Sequence, residues 1–213
     1  MKHFLDDGRV LVASYNDIRQ FFDDYHIVGR TISDLRSAEN DYMIKNLEDF
    51  DIDELNRWTT ESGIETDGQI AILFADGDNI EIEFSGDGPI LLGFNTANLS
   101  KYPAYDGTCY TLATLFQHCL GKTISNVLFE KSNHRMEFPA YRGIDMSADD
   151  EGIREIRLIL EDGSYLKAFG GWDFYYFSHI NSDGEELRVP YTELIEELNP
   201  KVKHRLFVEH KGV

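Results

Sequence analysis

Acids at alternate positions in DFDIDE, residues 49–54, come closest in this chain to a cation site. Alternation would turn Asp49, Asp51 and Asp53 the same way, and hard cations take oxygen ligands. A calcium loop of the EF-hand type also needs Gly at its sixth position and Glu at its twelfth. Here those positions hold Glu54 and Thr60, so the pattern fails. The seven histidines form no His-x3-His pair and the two cysteines no Cys-x2-Cys pair, and no metal or cofactor is expected. Cys109 and His118 lie nine residues apart on what reads as one helix, on sides too different for a direct hydrogen bond. Neither a G-x-S-x-G elbow, a P-loop nor a dinucleotide fingerprint occurs. The Gly-rich stretches SGDGPILLG and FGGWDF fall between strand patterns and read as turns or bulges. No catalytic residue is assigned. The expectation is a binding protein and not an enzyme; the alternatives are an enzyme whose site gathers scattered carboxylates and histidines, or a generic protein-interaction domain.

The elements that position these residues come in two editions. VGRTISDL begins at Val28 and LGKTISNV begins at Leu120, 92 positions later. Before the first, Ile18, Phe21, Phe22 and Tyr25 hold the i, i+3, i+4, i+7 spacing of one helical face, with Ser14 as N-cap and Gly29 as stop. Before the second, Leu112, Leu115, Phe116 and Cys119 make the stripe and Gly121 the stop. His26 and His118 stand at the same place relative to those glycines, near helix C-termini, where capping explains them better than metal ligation.

A second echo follows. Ile70, Ile72 and Phe74 alternate into Asp76-Gly77, and Ile156, Leu158 and Leu160 into Asp162-Gly163. Apolar alternation around Asp-Gly is a strong hairpin signal. A third strand ends at Asn95 in one edition and at Asn181 in the other. The predicted fold class is therefore α+β, a tandem duplication of a helix plus antiparallel β-sheet unit. Residues 1–103 form the first repeat. Residues 104–213 form the second, with a C-terminal helix ending before Pro200 and a closing strand over 204–210. Residues 96–107 read as the linker.

The chain has 213 residues and 42% apolar content, enough for a real core. Nothing approaches the roughly 18–20 apolar residues that span a bilayer. The opening MKHFLDDGRVLV has acids where a signal peptide needs an apolar run, and two cysteines suit a reducing compartment, so a cytoplasmic location is expected. Thirty-nine acids against twenty bases give a net charge of −19. Nucleic acid and membrane surfaces are poor partners for such a field, and basic proteins good ones.

The acids concentrate in ENDYMIKNLEDFDIDELNRW, residues 39–58, where seven stand against Lys45 and Arg57. The matching stretch of the second edition, EKSNHRMEFPAYRG, is mixed in charge. Aromatic rings interleaved with charge are what interface hot spots use. With its acidic α+β character and its short strands around LFADG and ILEDG, the chain resembles the small immunity proteins of bacterial polymorphic or contact-dependent toxin systems. That resemblance implies a basic toxin domain, often a nuclease, as partner, neutralised by tight binding. The expected partner-binding residues are Asp41, Tyr42, Glu48, Asp49, Phe50, Asp51, Asp53, Glu54 and Trp58.

Overall fold

The computed structural model describes residues 2–12, 14–37, 64–66, 69–84, 90–101, 112–131, 153–170 and 175–187. The fold is α+β, with two antiparallel sheets. The first comprises β1 (Lys2–Phe4), β2 (Val10–Val12), β3 (Ile32–Ser37), β5 (Ile70–Phe74), β6 (Asn79–Phe84) and β7 (Ile90–Phe94), in the order β1-β2-β7-β6-β5-β3. The second comprises β4 (Ile64–Thr66), β8 (Ile124–Lys131), β9 (Ile153–Leu160), β10 (Tyr165–Gly170) and β11 (Tyr175–Ile180), in the order β4-β11-β10-β9-β8. With β4 standing for β2, the second order repeats five strands of the first. Because β4 lies N-terminal to residue 103, the boundary at 103/104 separates the sequence echoes but not the sheets.

Helix α1 (Tyr15–Asp24) forms where its apolar face demands. Ser14 caps it by accepting from the Asp17 amide, and Ile18, Phe21 and Phe22 are buried. The second helix is shorter than its stripe predicts. Among the described residues it is α2 (Leu112–Leu115), followed by a separate 3-10 turn at Gln117–Cys119. Phe116 leaves helical geometry at the break and sets its ring 5.6 Å from that of Phe177 on β11. Burial of that ring outweighs one more helical turn. Each helix also reaches across to the other sheet: Tyr15 and Phe22 meet Phe129 of β8, and α2 packs on β3. One continuous core results, drawn from both halves.

The two sheets join where the echoed phrases meet. Thr31 and Thr123 form an isolated antiparallel bridge. The Gly29 amide donates to Ile124 O and the Gly121 amide to Ile32 O, both at 2.8 Å. The Ile32 amide donates to Lys122 O at 3.0 Å and the Ile124 amide to Arg30 O at 2.9 Å. Beyond the bridge, Ala75 N–H donates to Thr31 O and Glu161 N–H to Thr123 O, each at 2.9 Å. Every bond of this junction thus has a counterpart related by exchange of the two halves. Gly29 and Gly121 turn with φ of 93° and 78°, which a side chain would strain.

The Asp-Gly hairpins form as expected, but only their glycines take positive φ. Phe74 N–H donates to Asp78 O and Gly77 N–H to Phe74 O, and the same pair of bonds closes Leu160 to Ser164. Asp7-Gly8 and Asp183-Gly184 close two further hairpins with this bonding, beyond the two that the apolar alternation predicts. Among the described residues no helix is long and apolar enough to cross a membrane.

Candidate functional site

Beside the junction, the two halves carry different chemistry at four corresponding positions. In the first half they hold Arg30, Asp76, Asp78 and Phe94; in the second, Lys122, Asp162, Ser164 and His179. The strand registers fix the last pair, since Phe94 lies opposite Ile80 and His179 opposite Leu166. Aligning Asn95 with Asn181 by sequence alone places Gly93 there, one residue out.

The first cluster is a locked cation. Arg30 Nη1 lies 2.9 Å from Asp76 and 2.6 Å from Asp78. Its Nε and Nη2 donate to the His26 and Tyr25 carbonyls, each at 3.1 Å. The guanidinium sits 5.3 Å from the Phe74 centroid and 5.1 Å from that of Phe94, on which Tyr25 stacks at 4.2 Å. Hydrogen bonds from Asn95 and Arg30 hold the Asp78 carboxyl below its usual range. A planar fork pinned between acids and rings positions the turn; nothing here is left to react.

The second cluster is a relay. Lys122 Nζ lies 2.5 Å from Asp162 Oδ2, and the Ser164 hydroxyl donates to Asp162 Oδ1 at 2.6 Å. His179 Nε2 lies 3.0 Å from Ser164 Oγ. Burial would raise the Asp162 carboxyl, but the hydrogen bonds from Lys122 and Ser164 outweigh it and hold the group at about 2. Asp162 is therefore ionised and accepts the one proton on Ser164 Oγ. His179 must then donate from Nε2, which fixes its tautomer and leaves Nδ1 as a bare lone pair. No described atom bonds that lone pair, and the side chain has no solvent exposure. Burial, helped by the nearby positive charge of Lys122, lowers the imidazole to about 4.

Proton counting decides what this arrangement can do. A serine nucleophile must hand its proton to an effective base, most often histidine, and a carboxylate held at about 2 is a poor one. Here the proton goes to Asp162 instead, and Ser164 is itself buried. The relay orders the hairpin and holds a neutral imidazole in the core. Cys119 is similarly inert, since burial pushes its thiol up to about 12. Cys109 lies outside the described residues. No group of three or more His, Cys, Asp and Glu suited to a metal occurs among the described residues.

The relay was only partly legible. Counting by twos from Phe177 puts His179 on the inward face of its strand. Ser164 follows an Asp-Gly turn and gave no signal of its own. The expected partner-binding residues Asp41, Tyr42, Glu48, Asp49, Phe50, Asp51, Asp53, Glu54 and Trp58 all lie outside the described residues. The chain segment that holds them leaves the end of β3 at Ser37 and returns at Ile64, where β4 joins the other sheet. In comparisons with known proteins, no family model, curated protein or solved structure matches this chain.

Proposed function

We propose that this chain is an acidic binding protein that neutralises a basic toxin domain by tight association, with residues 39–58 as the working surface. The observation that carries the reading is where the charge lies. Residues 1–103 hold 21 acids and 8 bases, net −13, whereas residues 104–213 hold 18 and 12, net −6. Seven of the first half's acids fall in the twenty residues from 39 to 58, interleaved with Tyr42, Phe50 and Trp58. Such charge steers a basic partner, and the rings supply anchors once the interface is dry.

In this reading the chain is a tandem duplication whose first copy acquired the interaction surface. The paired bonds around Thr31 and Thr123, and the matching strand orders, support the duplication. Inhibition by occupation needs no reaction, in keeping with a Ser164 hydroxyl committed to Asp162.

The test is co-expression with the toxic domain encoded by an adjacent reading frame. Cells survive with the wild-type chain and die with Asp49→Lys, Asp51→Lys and Asp53→Lys combined. Survival with that triple reversal removes the acidic segment from the mechanism.

A further inference from the structure

Four Asp-Gly turns of this chain share one backbone, and one of them holds its aspartate differently. At Gly8, Gly77, Gly163 and Gly184 φ lies between 82° and 95°, and each glycine amide donates to the carbonyl three residues back at 3.0–3.1 Å. In three of the turns the Asp side chain is anchored by the second amide beyond it. Asp7 Oδ1 accepts from the Arg9 amide, Asp76 Oδ1 from the Asp78 amide and Asp162 Oδ1 from the Ser164 amide, at 3.0–3.1 Å. A cation takes the other oxygen in each: Arg9 Nε at 2.9 Å, Arg30 Nη1 at 2.9 Å and Lys122 Nζ at 2.5 Å.

In the fourth turn the corresponding amide is already taken. Asn181 Oδ1 accepts from Glu185 N–H at 2.8 Å and from Asp183 N–H at 2.9 Å. Asparagine side chains cap turns in this way. The residue at that place in the other turns is Leu5, Phe74 or Leu160, none of which has a side-chain acceptor. Asp183 therefore lacks the anchoring amide that its three counterparts share, and it stands exposed together with Gly184.

An Asp-Gly pair can close on itself, because glycine has no Cβ to hinder attack on the Asp side chain. The Gly184 nitrogen bonds to Asp183 Cγ, and the amide proton leaves with the carboxyl hydroxyl as water. Water then opens the succinimide ring. Attack at the side-chain carbonyl restores Asp; attack at the main-chain carbonyl routes the backbone through Cβ and Cγ, giving isoaspartate. Ring closure needs a side chain free to swing Cγ over the next nitrogen, and a neutral carboxyl group that can lose its hydroxyl. Anchoring amides and cations oppose both, by fixing the rotamer and favouring the charged form. We infer that Asp183-Gly184 is the turn, among these four, at which the folded chain forms isoaspartate. The added main-chain carbon falls inside the loop closed by Asn181 N–H to Glu185 O at 2.8 Å and Leu187 N–H to His179 O at 2.7 Å. Modification there loosens the strand end that carries the relay histidine.

The experiment ages the full chain at neutral pH, natively and in urea, then digests it and quantifies isoaspartate peptide by peptide with a labelling isoaspartyl methyltransferase. Asp67-Gly68, Asp87-Gly88 and Asp106-Gly107 lie outside the described residues and are counted separately. In urea the four sites should react at similar rates, since each is Asp followed by Gly. Natively, the yield at residue 183 should exceed those at residues 7, 76 and 162 severalfold. Asn181→Leu gives the turn the apolar residue of its counterparts and frees the Glu185 amide for Asp183, so the native yield there should fall. Should that variant fail to fold by circular dichroism, the comparison of the four wild-type sites decides alone. Native yields in the same proportions as in urea, a higher yield at residue 7, 76 or 162 than at 183, or an unchanged yield in folded Asn181→Leu overturns the assignment.

Discussion

Thr31 and Thr123 place their hydroxyl oxygens 3.1 Å apart across the bridge that joins the two sheets, although 92 residues separate them. Either hydroxyl can donate, and both are partly buried. The contact belongs to both halves equally, so a change on one side is felt by the other.

That symmetry sets the first prediction. Thr31→Val should cost about 1 kcal/mol, because the Thr123 hydroxyl loses its partner at a partly dry site. Thr123→Val should cost a similar amount. The double variant should cost less than the sum, with a coupling of roughly 0.5–1 kcal/mol. Urea unfolding of the four proteins gives this cycle directly. Strict additivity would show that the two hydroxyls do not act as a pair.

The strand phase is tested at the two central apolar positions. Ile72 and Leu158 are both buried in the shared core. Truncating either to Ala should cost about 2–5 kcal/mol in unfolding free energy. Similar losses at both sites in a single cooperative transition fit one continuous core. Two separate transitions, each responding to one variant, would mean two independent cores.

Most of this architecture follows from local rules that the sequence displays openly. Ser14, the Ile18 stripe and the Asp76-Gly77 and Asp162-Gly163 turns act through neighbours within a few residues, so pattern reading finds them. Two features depend on distant partners and were missed. Three-residue strands such as β1 and β4 show too little alternation to register, and β4 joins the sheet of the other half through pairing with β11. The break at Phe116 similarly reflects a ring that finds Phe177, more than sixty positions on. As for the site, His179 lies within a predicted strand, but its bond to Ser164 exists only once β10 and β11 pair.

The relay predicts a particular dependence on pH. His179 titrates at about 4 in the folded chain against an ordinary value near 6.5. Between those values the unfolded chain binds a proton that the folded chain refuses, so stability rises with pH through this window and falls on acidification. The loss approaches about 3 kcal/mol by pH 4. Asp162, held at about 2, adds its own loss only below the ordinary carboxylate range. Unfolding measured at several pH values should show a shallower slope between about 6.5 and 4 in His179→Gln than in wild type. Identical slopes would mean that His179 titrates normally. Nitrogen-15 spectra of the imidazole should report the neutral Nε2–H tautomer across the window.

The proposed function rests on whether the acidic segment meets a partner, and one titration addresses it most directly. The basic toxin domain is titrated calorimetrically, at low and at physiological salt, against the wild-type chain, the Asp49→Lys, Asp51→Lys, Asp53→Lys triple variant and Trp58→Ala. Rim charges act mainly on association rate and salt dependence, whereas a desolvated charge left facing its partner costs roughly 2–5 kcal/mol. The account predicts a loss of that size in the triple variant, with weaker salt dependence, and a comparable loss for Trp58→Ala in a chain that still unfolds like wild type. Unchanged affinity of the triple variant at both salt concentrations contradicts the account, and the acids of residues 39–58 would then serve solubility alone.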